Sequence, residues 1–353
     1  MPVANRDEQQ RVTVRAPGRV NLIGGHTDYA GGLVLPMAID LATTIVGVRG
    51  GDRIHLTSED DPTPAIVDVG AEPEAVTAPA WARYVAAVAA ETGLRCGFRG
   101  TVATTIPIGT GLSSSAALEV AVALALGADD EGAADRPALA QALRRAEHRA
   151  SGVPCGIMDQ LASLCGVEGH AILVDCTTLA ITPVRIPDGA EVVVIDSGEH
   201  RQLADSGYAA RRAEVAAAEE ALGGPGSLAS ASLEDLAAIA DPTMRRRARH
   251  VVTENARVLA TVEALRVGDL AGAGALMTES HASLRDDHEV TTGALDALVE
   301  RLVATPGVHG ARLTGGGWGG CVVALAATGA LVGEGWHLRP AAGATVVVAP
   351  TAA

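Results

Sequence analysis

The sequence predicts an α+β fold in two layers, split into two domains. Strand-like runs rich in Val, Ile and Thr bunch together, and helical runs follow one another instead of alternating strictly with strands. With 353 residues, 48% of them apolar, the chain is long enough to bury two cores of ordinary size. Strands are expected at Val12 to Arg15, Ile45 to Val48, Thr101 to Thr105, Ala171 to Asp175, Glu191 to Asp196, Ala311 to Thr314, Cys321 to Leu325 and Thr345 to Val348. Helices are expected at Trp81 to Glu91, Ser113 to Leu126, Pro137 to Ala150 and Gly156 to Cys165 in the first half. Tyr208 to Leu222, Met244 to Leu265 and Thr291 to Val303 follow in the second. Thr177 to Ala190 reads as the bridge between the halves, which sets domains of 1–180 and 181–353.

Composition excludes several function classes. A net charge of −15 argues against a nucleic-acid or acidic-membrane partner. The cluster Arg245, Arg246, Arg247 and Arg249 reads as the wet face of a helix. All 27 basic residues are arginine. With no lysine, the P-loop kinase, the protein kinase and Schiff-base chemistry are ruled out, so phosphate handling has to use arginine, backbone amides and metal. Five cysteines without a CxxC pair predict reduced, mostly buried thiols rather than disulfides or a zinc site. The polar N-terminus has no secretory pattern and Glu119 interrupts the most apolar helical run, so a cytoplasmic location is expected.

Four segments carry the chemistry. In Pro107 to Ala117, Gly109 and Gly111 let the backbone approach a ligand, and the start of the following helix favours an anion. Ser113, Ser114 and Ser115 read either as helix caps or as donors and a metal ligand; the apolar helix behind them favours a rigid phosphate cradle. Arg15 to Gly32 crowds Arg19, Asn21, His26, Thr27 and Asp28 into one turn, a density of hydrogen-bonding groups suited to a polyhydroxylated ligand. Glu147 to Gln160 sets Asp159 between Met158 and Leu161, where an acid is costly to bury without a partner or a task. The run from Gly310 to Cys321 has five glycines in six positions, a loop able to lie flat against a ligand, but it lacks the dinucleotide-binding pattern.

In this order, GRVNLIGxHTDY at Gly18, PIGTGLSSSAALEVA at Pro107, PCGIMDQ at Pro154 and LTGGGWGGC at Leu313 resemble the galactokinase family of the GHMP kinase superfamily. WARYV at Trp81, SGYAARR at Ser206 and SHASLRDDHEV at Ser280 are similar to it as well. The resemblance implies a two-domain GHMP kinase-like fold with the active site in the cleft between lobes, and transfer of the ATP γ-phosphoryl group to the anomeric hydroxyl of galactose. By position it implies Asp159 as catalytic acid with Arg19 beside it, and Ser115 and Glu147 as Mg2+ ligands. Gly109, Thr110, Gly111, Leu112, Ser113, Ser114 and Ser115 would form the ATP triphosphate loop, with Ser58 on the nucleotide side. Gly25, His26, Thr27, Asp28, Gly156 and Tyr208 would contact the sugar.

The chain departs from the family at Gly25, where a glutamate is expected, at Ala30 for asparagine and at His288 for tyrosine. Loss of the glutamate, which the resemblance sets near the sugar's C6, leaves L-arabinose, 6-deoxy-galactose and galacturonate as alternatives to galactose. A non-catalytic sugar sensor on the same fold is the other alternative, and retention of Arg19, Glu147, Asp159 and the three serines opposes it.

Overall fold

The computed structural model describes residues 10–129, 135–199 and 204–350, without the side chains of 204–206 and 350. The polar stretch at residues 1–9 lies outside them. The first half runs β1 (Gln10–Asn21), β2 (Leu33–Val34), β3 (Pro36–Arg49), β4 (Arg53–Ser58), β5 (Ala65–Asp68), α1 (Ala80–Thr92), β6 (Phe98–Thr104), α2 (Ser114–Ala125), α3 (Arg136–Ser151), α4 (Met158–Cys165) and β7 (His170–Asp175). There follow β8 (Ile181–Arg185), β9 (Ala190–Asp196), α5 (Ala204–Ala221), α6 (Ser227–Ser230), α7 (Pro242–Val267), α8 (Leu270–Asp286), α9 (Gly293–Val303), β10 (Val308–Thr314), β11 (Cys321–Ala327), β12 (Trp336–Leu338) and β13 (Thr345–Pro350).

Three sheets result, in the orders β13-β1-β3-β6-β4-β5, β10-β11-β9-β12 and β2-β7-β8. The edge strand β13 returns from the far end of the chain to pair with β1. Helices α1 to α4 pack together and α2 and α4 rest on the first sheet; in the second half α8 and α9 pack on β10. Helix α2 is apolar nearly all round and buried from Ala116 onward except at Leu118, which makes it a central, rigid element. Val20, Ile23 and Met37 share a core with Val258, Met277 and Val323, so the halves meet on apolar surface.

Some elements escape the sequence reading, and two expectations need correction. The bridge Thr177 to Ala190 contains β8, which pairs antiparallel with β7. Helix α8 escapes the sequence pattern because Gly272 and Gly274 lower its helical signal. Gly274 is a packing glycine: a Cβ there would sit 2.2 Å from the His309 carbonyl carbon, so α8 touches β10 backbone to backbone. Arg247 is buried rather than wet, bonding Glu214 (2.7 Å), Glu289 (2.6 Å) and the Asp287 carbonyl (2.6 Å). The cysteines are free, but only Cys321 is fully buried.

One buried anion ties α7 to the first half. Oε1 of Glu254 accepts from the backbone N–H groups of Gly24 (2.9 Å) and Gly25 (3.3 Å) and from Ser280 Oγ (2.5 Å), while Oε2 takes Arg257 (2.8 Å). Burial alone would push this carboxyl up, yet His250, Arg312 and Arg257 outweigh it and bring it down to about 2. A depressed carboxyl lends stability that is complete above its ordinary 4.5 and is lost as pH falls toward 2. Glu254→Gln is therefore expected to cost about 3 kcal/mol at pH 7, because it strands buried arginine charge. It should also flatten the pH dependence of thermal unfolding between these limits; an unchanged acid limb would remove Glu254 from this role.

Candidate active site

The site begins at a bulge. The register of β1 against β3 shifts between Pro17 and Arg19, leaving Gly18 unpaired. A Cβ on Gly18 would lie 2.6 Å from the Leu112 carbonyl oxygen, so glycine lets the loop after β6 press onto β1, and Arg19 N–H donates to that oxygen at 3.1 Å. Arg19 then forks onto Asp159, Nε to Oδ1 at 2.7 Å and Nη2 to Oδ2 at 2.5 Å, while Nη1 donates to the Gly111 carbonyl at 2.5 Å. The arginine side chain is 7% exposed and the aspartate 25%, so the carboxylate edge meets solvent.

Loop geometry argues against the cap reading for Ser113. Gly109 (φ 82°) and Gly111 (φ 81°) take left-handed backbone, as does Ser113 (φ 62°). Ser113 stands at the N-cap of α2 without capping it with its side chain; its hydroxyl donates to Asp159 Oδ2 instead. Thr110 Oγ1 braces the loop on the Pro107 carbonyl at 2.8 Å, and the Leu112 side chain is core. Ser115, in the first turn of the helix, donates to Glu147 Oε1 at 2.9 Å.

Glu147 is held by three donors. Besides Ser115, Gln160 Nε2 reaches Oε2 at 2.6 Å and Cys155 Sγ at 3.1 Å. Burial, with Asp159 adding to it, pushes the Glu147 carboxyl up. Gln160 Nε2 also contacts Glu119 Oε2 at 3.1 Å, and burial with Glu147 nearby drives Glu119 well above the ordinary carboxylate range. Among the described residues no group of three or more His, Cys, Asp or Glu side chains is arranged to hold an ion.

A cleft of about 190 Å³ opens beside Asp159, lined by Arg19, Gly25, His26, Asp28 and Gly156 from the first half and by Tyr208, Gly315 and Gly316 from the second. Gly156 is there for Asp28: a Cβ at 156 would lie 1.6 Å from Asp28 Oδ2. Burial and then Asp159 push Asp28 up to about 6, which leaves it charged at neutral pH, with the Met158 and Tyr29 backbone amides opposing the shift. Thr27 stands apart, fully buried, with its hydroxyl on the carbonyls of Leu33 (2.8 Å) and Gly24 (3.1 Å). The space a side chain would need at position 25 is filled: Arg312 Nη2 lies 2.3 Å from where a Gly25 Cβ would be.

A second cavity of about 310 Å³ lies on the other side of the loop, lined by Ser58, Trp81, Tyr84, Ile108, Ser114 and Ser115. Ser58, at the end of β4, is thus brought to the start of α2. Trp81 and Tyr84, in a chain with only 2% aromatics, give this cavity its flat apolar wall. Sequence reasoning did not assign them, nor Cys155 and Gln160, although the scarcity of aromatics and the position of Gln160 just after Asp159 were available signals.

Comparison with known proteins agrees with this arrangement. The chain matches the galactokinase galactose-binding signature over residues 4–49, the GHMP kinases N terminal domain over 80–167 and the GHMP kinases C terminal domain over 261–336. It is 44% identical over 330 residues to the galactokinase of Homo sapiens, covering 90% of this chain and 84% of that one. With the galactokinase of Chloroflexus aurantiacus it shares 43% over 328 residues, 89% and 83% of the two chains. The crystal structure of Lactococcus lactis galactokinase complexed with galactose superposes with a TM-score of 0.88 at 34% identity, covering 95% of both chains. Methanococcus jannaschii mevalonate kinase, at 19% identity and a TM-score of 0.66, shares the fold. A bulged strand that presents an arginine to an aspartate beside a glycine-serine loop, in a chain this similar over nine-tenths of its length, belongs to the galactokinase family of GHMP kinases.

Proposed function

We propose that the chain transfers the γ-phosphoryl group of ATP to the anomeric hydroxyl of galactose, with the sugar in the cleft beside Asp159 and the nucleotide in the cavity lined by Trp81 and Tyr84. The observation that carries this reading is Asp159, wedged between the cleft and the loop at the start of α2. A carboxylate offers about four lone-pair sites. Arg19 takes two and Ser113 one, which leaves one for the incoming hydroxyl. Arg19 uses three of its N–H groups on Asp159 and Gly111 and keeps two for charge on the transferring group. A loose phosphoryl-transfer transition state asks little of the base until late, so orientation by this fork matters more than basicity.

Ser115 and Glu147 suit Mg2+. They are hard oxygens 2.9 Å apart, and the Glu147 carboxyl, pushed up by burial and by Asp159, is short of positive charge. Bound there with the nucleotide, the ion would neutralise phosphate charge. Gln160 and Cys155 orient Glu147, and the amides at the start of α2 face the phosphates.

Galactose is preferred over L-arabinose because the space vacated at Gly25 is occupied by Arg312, so the loss of a side chain does not enlarge the cleft. The sensor reading is opposed by the assembled Arg19, Asp159 and Ser113 contacts.

In a coupled assay of ADP release over galactose, L-arabinose, 6-deoxy-galactose and galacturonate, galactose should give the highest kcat/KM. Asp159→Asn should lower kcat about a hundredfold or more while galactose Kd changes by only a few-fold. Turnover near normal in that variant, or none with any sugar in the parent chain, sinks the proposal. For the metal, Glu147→Ala should raise the Mg2+ concentration for half-maximal rate and weaken Mg2+-dependent nucleotide binding measured by calorimetry, with the thermal transition retained. An unchanged Mg2+ dependence of binding would reduce Glu147 to a support for α3.

A further inference from the structure

Two residues in the second half go against local conformational preference, and they touch each other. Trp318, in the glycine run between β10 and β11, takes left-handed backbone (φ 54°), a costly conformation for a bulky side chain that persists only where its surroundings hold it. They hold it from both sides. The Trp318 N–H donates to the Val290 carbonyl at 2.8 Å, and the Gly320 N–H donates to the Glu199 carbonyl at 2.9 Å. Flanking side chains are excluded, since a Cβ on Gly317 would lie 2.4 Å from the Val290 oxygen and one on Gly319 2.5 Å from the Glu199 oxygen. The second residue is Gly207, in the first turn of α5, where glycine is a poor helix former. A Cβ there would stand 3.1 Å from Trp318 Cε2 and Cζ2, closer than ordinary carbon contact, so glycine lets the indole press on the helix backbone.

Arg211, one turn further along α5, completes the contact, with its Cζ 5.9 Å from the Trp318 ring centroid. Gly207 and Arg211 thus form one stripe of the helix at i, i+4 spacing. The adjacent stripe, Tyr208 and Arg212, meets the first half of the chain. The Tyr208 ring lies 5.5 Å from His26 and 5.8 Å from Tyr29, centroid to centroid. Arg212 Cζ is 6.0 Å from the Tyr29 ring, and its Nη1 donates to the Pro154 carbonyl. The start of α5 is therefore held between Trp318 on one side and His26, Tyr29 and Pro154 on the other.

Tyr208 lines the cleft, as do Gly315 and Gly316 from the loop that carries Trp318, whereas the Trp318 ring does not. Trp318 also packs against the core that contains Val290, Leu295 and Leu313. Core packing accounts for an aromatic ring at this place. It does not account for left-handed backbone under that ring or for a helical glycine facing it, two local costs that serve the same contact.

We propose that Trp318 is a positioning residue: wedged on Gly207 and Arg211, it sets the placement of α5 that presents Tyr208 to the sugar, and so governs sugar affinity without meeting substrate. This rests on the sugar occupying the cleft as proposed above.

The test is galactose binding by calorimetry without nucleotide, joined to steady-state kinetics. Trp318→Gly removes the ring and relieves the backbone together. It should raise galactose Kd and KM about tenfold, the worth of one misplaced contact, while KM for ATP stays within about twofold. Trp318→Phe, which keeps an aromatic face, should stay within about threefold of the parent chain. Coupling is the decisive readout. If Trp318 acts through Tyr208, Trp318→Gly should cost less than about twofold more in kcat/KM once Tyr208→Ala is in place. Gly207→Ala, which pushes on the ring from the other side, should weaken galactose binding about threefold alone and do no harm in the Trp318→Gly background. A ring that served only the core would cost the same with or without Tyr208; that additivity, or an unchanged Kd in Trp318→Gly, overturns the proposal. Should Trp318→Gly not fold, the cycle of Gly207→Ala with Tyr208→Ala decides by the same rule. Failure of every sugar to bind or react would instead defeat the proposed function. Hydrogen exchange of the first α5 amides in the free protein would still decide this proposal, since it should be faster in Trp318→Gly than in the parent, and equal rates overturn it.

Discussion

The contact between Arg19 and Asp159 is the constraint on which the rest of the site depends. It joins residues 140 positions apart, the bulge of β1 and the first turn of α4, and the same guanidinium holds the Gly111 carbonyl of the loop ahead of α2. Three elements are thereby fixed to one planar, permanently charged group, which lysine with its single ammonium could not replace geometrically. Gly18 is a condition for it, since any side chain there would push the loop off the strand.

Around this pair the protein crowds carboxyl groups together. Asp28 and Glu147 are pushed up by burial and by Asp159. In a chain of net charge −15, an anionic nucleotide would be repelled from such a cluster unless cations come with it. On the proposed reading, Ser115 and Glu147 would supply the place for one, and the ion would relieve the carboxylates as the phosphates relieve the ion.

Much of this was legible in the sequence where chemistry is local. Glycines at 109 and 111 and serines at 113 to 115 marked the left-handed turn ahead of α2, and the order of motifs gave the family. The strand at β1 and the helices α1, α2 and α7 followed from periodicity. What escaped was the geometry set by contacts remote in sequence. Nothing near Gly156 says that it clears space for Asp28, and nothing near Gly25 says that Arg312 fills its side-chain volume. Helix α8 was missed because its glycines serve tertiary packing at the cost of local propensity. Arg247 was misread because its partners, Glu214 and Glu289, lie on other segments. Thr27 sits among cleft residues in sequence, yet its hydroxyl is committed to the turn itself.

If the fork between Arg19 and Asp159 acts as one unit, its parts should not contribute independently. The most direct measurement is a double-mutant cycle on kcat/KM for galactose with Arg19→Ala, Asp159→Ala and the double variant. The account predicts that the double variant is within about threefold of the slower single variant, because either change alone already dissolves the unit. Losses that multiply, each residue costing the same whether or not the other is present, would contradict it.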